Sequence, residues 1–230
     1  MAVSFFKNIT SYIFPIMIEQ KTGNVSPQLE VNLVNGKYVL DTEKTNYSHG
    51  ALHWVFDQTF QVYNLNEREI KNVLILRFGA GSVASLLTEK FNIKCGITGV
   101  EKDQVVIDLA YKYFGINRFK NLELICNDAS EYVQECSKKF DVIVVDLYID
   151  DQVPYCFHKE EFIKQLKIML QPQGILFFNK VVNNEKQIVE FNLLFQNMRT
   201  ILGNCEIYKL TKNNTHNSIL IHDRRTSEKN

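Results

Sequence analysis

The chain has 230 residues, a length that suits one α/β domain with a small additional element. It carries 26 Lys and Arg residues against 26 Asp and Glu residues, and this zero formal net charge argues against the broad positive surface of a nucleic-acid-binding protein. The sequence has no apolar run as long as a membrane span, and its five cysteines include no Cys-x-x-Cys pair, which predicts a cytoplasmic protein with reduced thiols. Its five histidines show no metal-ligand spacing, which predicts the absence of a metal site.

Residues 1–50 are predicted to form a small antiparallel β-element. Apolar and polar residues alternate in the segments 15–22 and 29–42. The dipeptide Asn35-Gly36 within the second segment is a strong signal for a tight hairpin turn. The N-terminal segment is therefore expected to add a hairpin ahead of the main domain.

Residues 51–222 are predicted to form a doubly wound α/β domain, followed by a flexible polar tail at 223–230. Strand and helix patterns alternate along it, and repeated β-α units favour a parallel sheet with right-handed crossovers. The predicted strands are 73–76, 95–100, 122–126, 140–146 and 175–179. The predicted helices are 48–63, 82–91, 103–114, 129–137, 159–170 and 184–202.

Two last predicted strands, 205–210 and 218–222, change the character of the sheet. The segment between them is too short for a crossover, so they are expected to pair antiparallel. The sequence therefore predicts a mostly parallel sheet of seven strands with one antiparallel strand.

A glycine-containing turn follows the first strand of this domain. Gly79 and Gly81 allow a tight turn and a close approach of the backbone to a ligand, and the start of the next helix favours an anionic group. About twenty residues later, Glu101 ends the second strand, where such folds place a carboxylate for ribose hydroxyls. This arrangement predicts a site for an adenosine-containing cofactor. The predicted cofactor-binding residues here are Gly79, Ala80, Gly81, Ser82, Glu101 and Lys102.

Two further acids follow the third and fourth strands. Asp128, with Ala129, comes directly after the third strand, and Asp146 closes the fourth. Because ligands of such sheets bind at the carboxyl ends of the strands, both acids are predicted to lie on the same open rim as Glu101. Simpler alternatives remain: Asp128 can act as a helix N-cap alone, and Glu101 can be a solvated acid at a helix start.

The order of the elements, the final strand pair, Asp128-Ala129 and Asp146 resemble the class I S-adenosylmethionine-dependent methyltransferase fold. Within that fold the chain is most similar to the spermidine synthase family. The N-terminal hairpin, the segment 41–49 and the segment 146–178 carry this closer match. The resemblance implies a transferase that uses S-adenosylmethionine or its decarboxylated form on a small-molecule acceptor. It implies neither a nucleic-acid nor a membrane partner, and a homodimer is one option for its assembly.

The resemblance also implies roles for single residues. Residues 79–82 would line the methionine side of the nucleoside, Glu101 would hold the ribose, and Asp128 would meet the adenine. Asp146 matches the catalytic aspartate that takes a proton from the attacking amine, with Asp150 as the second catalytic candidate.

Five positions depart from the family pattern, and one of them is Ser82, which stands where the family has an aspartate. Arg77 stands where the family has a glycine, and Ile149 stands where it has its second aspartate. Thr45 and Gly50 replace acids that would bind a polyamine. These departures make polyamine synthesis doubtful, and Arg77 slightly favours methyl transfer because it can pair with the carboxylate that only the complete cofactor carries.

Two other functions remain open at the level of sequence. Gly79-Ala-Gly81-Ser-Val-Ala84 also fits the Gly-x-Gly-x-x-Ala pattern of NAD-dependent oxidoreductases. The departures at Arg77, Ser82 and Ile149 are also compatible with a non-catalytic nucleoside-binding or scaffold protein that keeps the same fold.

Overall fold

The structure is a computed structural model that describes residues 5–42, 51–147, 155–212 and 215–227. The chain begins with helix α1 (Phe5–Thr10), followed by strands β1 (Ile16–Lys21), β2 (Leu29–Val34) and β3 (Lys37–Thr42). These strands form an antiparallel sheet in the order β1-β2-β3. Between β2 and β3, Asn35 and Gly36 have φ angles of 50° and 73°, the left-handed conformation of a two-residue hairpin turn. The predicted N-terminal hairpin is confirmed.

Strands and helices alternate through the remainder of the chain. The helices are α2 (Ala51–Val62), α3 (Ser82–Ser85), α4 (Gln104–Tyr113), α5 (Ala129–Glu135), α6 (Glu160–Met169), α7 (Glu185–Leu202) and α8 (Arg224–Ser227). The strands are β4 (Asn72–Leu76), β5 (Gly96–Glu101), β6 (Leu122–Cys126), β7 (Phe140–Val145), β8 (Leu170–Val181), β9 (Glu206–Lys212) and β10 (Thr215–Asp223). Helix α3 continues as one π-helical turn over Leu86–Lys90.

These seven strands form one sheet in the order β6-β5-β4-β7-β8-β10-β9. Strands β4 to β8 pair in parallel, whereas β10 is antiparallel to both β8 and β9, with Ile219 opposite Tyr208. The predicted seven-stranded sheet with one antiparallel strand is confirmed. The chain proceeds outward from β4 to β6 and then returns to place β7 on the other side of β4. This reversal opens a crevice at the carboxyl ends of β4 and β7.

Apolar side chains cover both faces of the large sheet. Phe140 and Phe178 are buried on the face covered by α5, α6 and α7, and Phe60 and Phe177 are buried on the face covered by α2 and α3. The small sheet contributes a third cluster, in which Leu29, Val31 and Leu40 pack with Ala80, Val106 and Leu109. The N-terminal element therefore covers the glycine-containing turn and helix α4.

Two segments are more ordered than the sequence pattern predicts. Strand β8 extends to Val181, beyond the predicted end at residue 179, because β10 pairs with β8 from Ile175 to Val181. The tail predicted to be flexible from residue 223 instead starts with ordered structure. Asp223 forms an ion pair with the buried Arg68, and the Arg224 guanidinium donates to the carbonyl of Leu170 at 2.7 Å. These charged residues resemble a solvated tail in sequence but have partners on the domain.

Candidate functional site

The carboxyl ends of β4, β5 and β7 bring together three charged side chains. Arg77 follows β4, Glu101 ends β5 and Asp146 follows β7. Glu101 and Asp146 are each 3% exposed, so the site is buried rather than an open rim. The sequence correctly predicts that the two acids share one edge of the sheet, but the prediction of an open position for Asp146 is wrong because Arg77 and β8 surround it.

Glu101 connects the glycine-containing turn to the end of β5. Its Oε2 accepts a hydrogen bond from the Gly79 N–H at 2.9 Å. Its Oε1 accepts from the N–H groups of Lys102 at 2.9 Å and Asp103 at 3.2 Å. The alternative of a solvated helix acid is therefore wrong for Glu101; Asp103 instead caps α4 by accepting from the Val105 N–H at 3.0 Å.

Arg77 pairs with one of the two buried carboxylates and acts electrostatically on the other. Its Nη1 is 3.7 Å from Oδ2 of Asp146, and its side chain is 10% exposed. Burial raises the pKa of both Asp146 and Glu101, and the positive charge of Arg77 partly offsets the increase in each case. The Arg77 backbone has φ of 67°, a conformation that glycine adopts at lower cost. The arginine thus occupies a strained backbone position at the centre of the site.

Asn179 is a site residue that the sequence reasoning missed. Its Nδ2 donates a 2.8 Å hydrogen bond to Oδ1 of Asp146. Because a carboxylate only accepts hydrogen bonds, the amide of Asn179 must present its Nδ2 to Asp146, and its Oδ1 is directed away from Asp146. That oxygen is buried and has no hydrogen-bond partner within the part of the chain that the structure describes. A polar residue at the end of the apolar run Ile175-Leu-Phe-Phe178 is the signal that could have identified it.

Close packing determines the shape of the glycine-containing turn. Gly81 has φ of 86°, and a side chain on Gly99 of β5 would lie 2.5 Å from Cδ2 of Phe78. Phe78 therefore packs directly over β5. Ala80 contacts the N-terminal sheet, and Oγ of the buried Ser82 is 3.4 Å from Nδ1 of His53 on α2.

Asp128 caps helix α5 and binds a lysine. Its Oδ1 accepts from the Ser130 N–H at 2.8 Å, so Asp128 is the N-cap of this helix, and its role toward a ligand stays a prediction. Its Oδ2 is 2.9 Å from Nζ of Lys102, so the Lys102–Asp128 pair spans the ends of β5 and β6. The contacts with Lys102 and Ser130 outweigh burial and lower the pKa of Asp128. Ala129 directs its side chain into the core, which leaves its backbone as the part that can meet a ligand.

A family model described as "spermine/spermidine synthase domain" matches residues 60–217 of this chain. The chain belongs to this family. The match includes every predicted site residue at the carboxyl ends of β4 to β7. The second catalytic candidate, Asp150, lies outside the described residues, as do Thr45, Gly50 and Ile149.

Similar proteins include members of two transferase classes. A probable polyamine aminopropyl transferase of Bifidobacterium longum is 30% identical over 146 residues, which are 64% of this chain but only 32% of that relative. A crystal structure of spermidine synthase with the transition-state analogue AdoDATO has a TM-score of 0.71 and 17% identity, and the match covers 90% of this chain and 73% of that one. Human methyltransferase-like protein 13 in complex with SAH has a TM-score of 0.63 and 19% identity, with 76% and 82% covered. The two structural matches share the fold with this family member.

Two other features are absent from the residues that the structure describes. No group of three or more His, Cys, Asp or Glu side chains there is arranged to hold a metal ion. None of the helices in the same residues combines the length and apolar character needed to cross a bilayer.

Proposed function

We propose that this family member is a transferase that uses S-adenosylmethionine or its decarboxylated form, with methyl transfer favoured over aminopropyl transfer. The observation that carries the proposal is the buried group of Glu101, Arg77 and Asp146 at the strand ends. Relatives named as aminopropyltransferases and a structural neighbour named as a methyltransferase with bound SAH support a cofactor of this chemical class. An oxidoreductase finds no support among them.

The residues present fit the adenosine part of such a cofactor. A carboxylate offers about four lone-pair positions, and three N–H donors of the chain use three of those on Glu101, which leaves one for a ribose hydroxyl. The Lys102–Asp128 pair lies beside Glu101, where the adenine would bind. The turn at Gly79 and Gly81 would approach the methionine side through its backbone.

The charge of the group distinguishes the two forms of the cofactor. Two carboxylates and one guanidinium leave one net negative charge when all three are ionised. S-adenosylmethionine carries one net positive charge, because its carboxylate offsets one of its two cations, whereas the decarboxylated form carries two positive charges and no carboxylate. The net negative charge would attract either form, so the difference comes from the positive charge of Arg77, which can pair with the carboxylate that only the complete cofactor carries. The complete form is therefore the better match.

Asp146 and Asn179 provide the proton-accepting side of the site. When bound, the cofactor supplies a carbon activated by its sulfonium group. Burial raises the pKa of Asp146, which makes its carboxylate a stronger proton acceptor for an attacking nucleophile. The buried Oδ1 of Asn179 can accept a hydrogen bond from an N–H group of a small-molecule acceptor. An acceptor that attacks through nitrogen would satisfy both groups.

Calorimetric titration of the purified chain tests the proposal. We expect S-adenosylmethionine and S-adenosylhomocysteine to bind and NAD to give no heat. The decarboxylated cofactor should bind at least about tenfold more weakly, because a factor of ten requires a difference of only about 1.4 kcal/mol in binding free energy. Tighter binding of the decarboxylated form would overturn the preference for methyl transfer. Absence of binding by all adenosine ligands would overturn the transferase itself and favour the scaffold alternative.

A further inference from the structure

Strand β8 presents a second polar group on the face opposite to Asn179. Lys180 is 1% exposed, and its Nζ is 2.9 Å from Oε2 of Glu190 on α7. The same Nζ lies 3.4 Å from Nε2 of His158. Because successive residues of a strand point to opposite faces, Asn179 contacts Asp146 on one side while Lys180 contacts His158 on the other.

A buried ammonium group requires a compensating charge and hydrogen-bond acceptors, and Lys180 has both. Glu190 provides the compensating charge. Burial, together with the charge of Lys180, lowers the pKa of His158 to about 4, so its imidazole is neutral at pH 7. A neutral imidazole can accept a hydrogen bond through Nε2, which makes His158 a suitable second partner for the lysine.

His158 ends a short helical turn, Tyr155–His158, that lies close to the proposed adenine site. The turn is fixed on its inner side, because the His158 carbonyl accepts from Nδ2 of Asn197 at 3.0 Å and Phe157 packs edge-on against Phe162. On its outer side, the residue Cys156 is exposed. Partial burial of its thiol and, after that, the negative charge of Asp128 raise the pKa of the thiol. The turn thus joins the buried lysine to a thiol within electrostatic range of Asp128, and its Phe157 packs in the same core cluster as Ala129, the residue after Asp128.

We propose that Lys180 is a positioning residue that holds the turn at 155–158 beside the start of α5, where Asp128 lies, and so completes the adenine side of the cofactor site. This inference rests on the proposed function, since it assigns that pair to cofactor binding. Neighbouring residues of β8 would then fix both sides of the site: Asn179 orients Asp146 at the reacting side, and Lys180 holds the turn at the adenine side.

The variant Lys180→Met tests this role, with Lys186→Met as its matched control. Lys186 is also close to Glu190, at 4.0 Å, but is exposed and is not among the contacts of His158. The rate of thiol labelling at Cys156, resolved by peptide mapping, reports on the turn directly. We expect Lys180→Met to increase that rate about tenfold, and to weaken binding of S-adenosylhomocysteine by a similar factor, while Lys186→Met behaves as wild type.

Internal controls separate positioning from general loss of structure. Cys95 and Cys205 are buried in the core, and their labelling should stay slow in a folded Lys180→Met protein. If Lys180→Met fails to fold, His158→Leu removes the same contact while leaving the Lys180–Glu190 pair in place, and it should give the same two effects.

Each outcome decides the proposal or the function on which it rests. Unchanged Cys156 labelling in a folded variant would overturn the positioning role. Faster labelling with unchanged affinity would overturn the link between the turn and the cofactor site. If wild-type protein binds no adenosine ligand, the proposed function fails, and the link to the cofactor site fails with it, even if Cys156 still responds to Lys180→Met.

Discussion

Nδ2 of Asn179 donates a hydrogen bond to Oδ1 of Asp146 at 2.8 Å, and this contact joins the carboxyl ends of β8 and β7. With Oδ2 of Asp146 directed toward Arg77, both oxygens of the carboxylate have assigned partners. Asp146 is therefore held in one orientation before any acceptor arrives. In the proposed function this fixed orientation would contribute to rate, because positioning of a reacting group lowers the barrier.

The Arg77–Asp146 pair should be energetically coupled. Asp146→Asn removes the carboxylate that pairs with Arg77 in a buried site and should lower the free energy of unfolding by about 3 kcal/mol. With Arg77→Met also present, the loss should be smaller than the sum of the single losses by about 1–3 kcal/mol. Urea denaturation of the four proteins measures this. The exposed pair of Lys164 and Glu160 is the control and should show coupling below about 0.5 kcal/mol. Additive effects at Arg77 and Asp146 would contradict the pairing.

Catalysis should depend on Asp146 more than cofactor binding does. Once an acceptor is identified, Asp146→Asn should reduce turnover by roughly 10²–10⁴-fold if this carboxylate is the base. Affinity for S-adenosylhomocysteine should change little, because Glu101 and Asp128 contact the nucleoside in the proposed mode. Full turnover in a folded Asp146→Asn protein would show that another group accepts the proton.

Glu101→Gln should weaken binding of S-adenosylmethionine by about 1.5–3 kcal/mol, the range for hydrogen bonds to a charged group. The amide also places an NH₂ group where the carboxylate accepts from backbone N–H groups, so the melting temperature should fall too. Glu131→Gln removes an exposed acid in the first turn of α5 and is the matched control. Equal affinities for the two variants would place the ribose elsewhere.

Two glycines of β5 offer a comparison of packing at the site. A Cβ on Gly99 would meet Cδ2 of Phe78 at 2.5 Å, whereas a Cβ on Gly96 would have its closest contact at 3.4 Å. Gly99→Ala should therefore displace Phe78, lower the free energy of unfolding by about 1–3 kcal/mol and weaken cofactor binding. Gly96→Ala should have little effect on either quantity. Denaturation and calorimetry of both variants measure the difference, and equal behaviour would show that Phe78 can move freely.

The stability of the protein should rise between pH 4 and 6.5 partly because of His158. Its pKa is about 4 in the folded protein, against about 6.5 in an unfolded chain, so the unfolded state binds more protons in this range. The stabilising contribution is complete above pH 6.5 and is lost as the pH falls through 4. His158→Gln should flatten the dependence of melting temperature on pH, whereas replacement of the exposed His216 by Gln should not. An unchanged slope in His158→Gln would refute the assignment.

Putrescine supplied with the decarboxylated cofactor should give little spermidine. Thr45, Gly50 and Ile149 stand where the family resemblance places acids for a polyamine, and a substrate with two positive charges needs several carboxylates to bind. Chromatographic analysis of the product decides this. Efficient formation of spermidine would contradict both this prediction and the preference for methyl transfer.

The sequence predicted the sheet well because its signals are local. The strand ends are indicated by apolar runs that lead to Gly79, Glu101, Asp128 and Asp146. This signal does not depend on contacts with the remainder of the chain. The roles of Arg77 and Asn179 depend instead on contacts across strands. Arg77 and Asp146 are far apart in sequence, and only the order β4-β7-β8 makes Asp146 a neighbour of both Arg77 and Asn179. The sequence could place the acids on one edge, but it could not show that Arg77 pairs with Asp146 there or that both acids are buried.

The packing of the N-terminal sheet limits how this chain can be divided. The family match begins at residue 60, yet Leu29, Val31 and Leu40 cover Ala80 and helix α4, and Oδ2 of Asp103 accepts from the Val25 N–H at 2.9 Å. A fragment that starts at residue 60 would expose this apolar surface and remove the hydrogen bond between Val25 and Asp103 at the start of α4. The minimal unit of cooperative folding is therefore larger than the segment that defines the family, and the three N-terminal strands are an integral part of the folded protein rather than a detachable module.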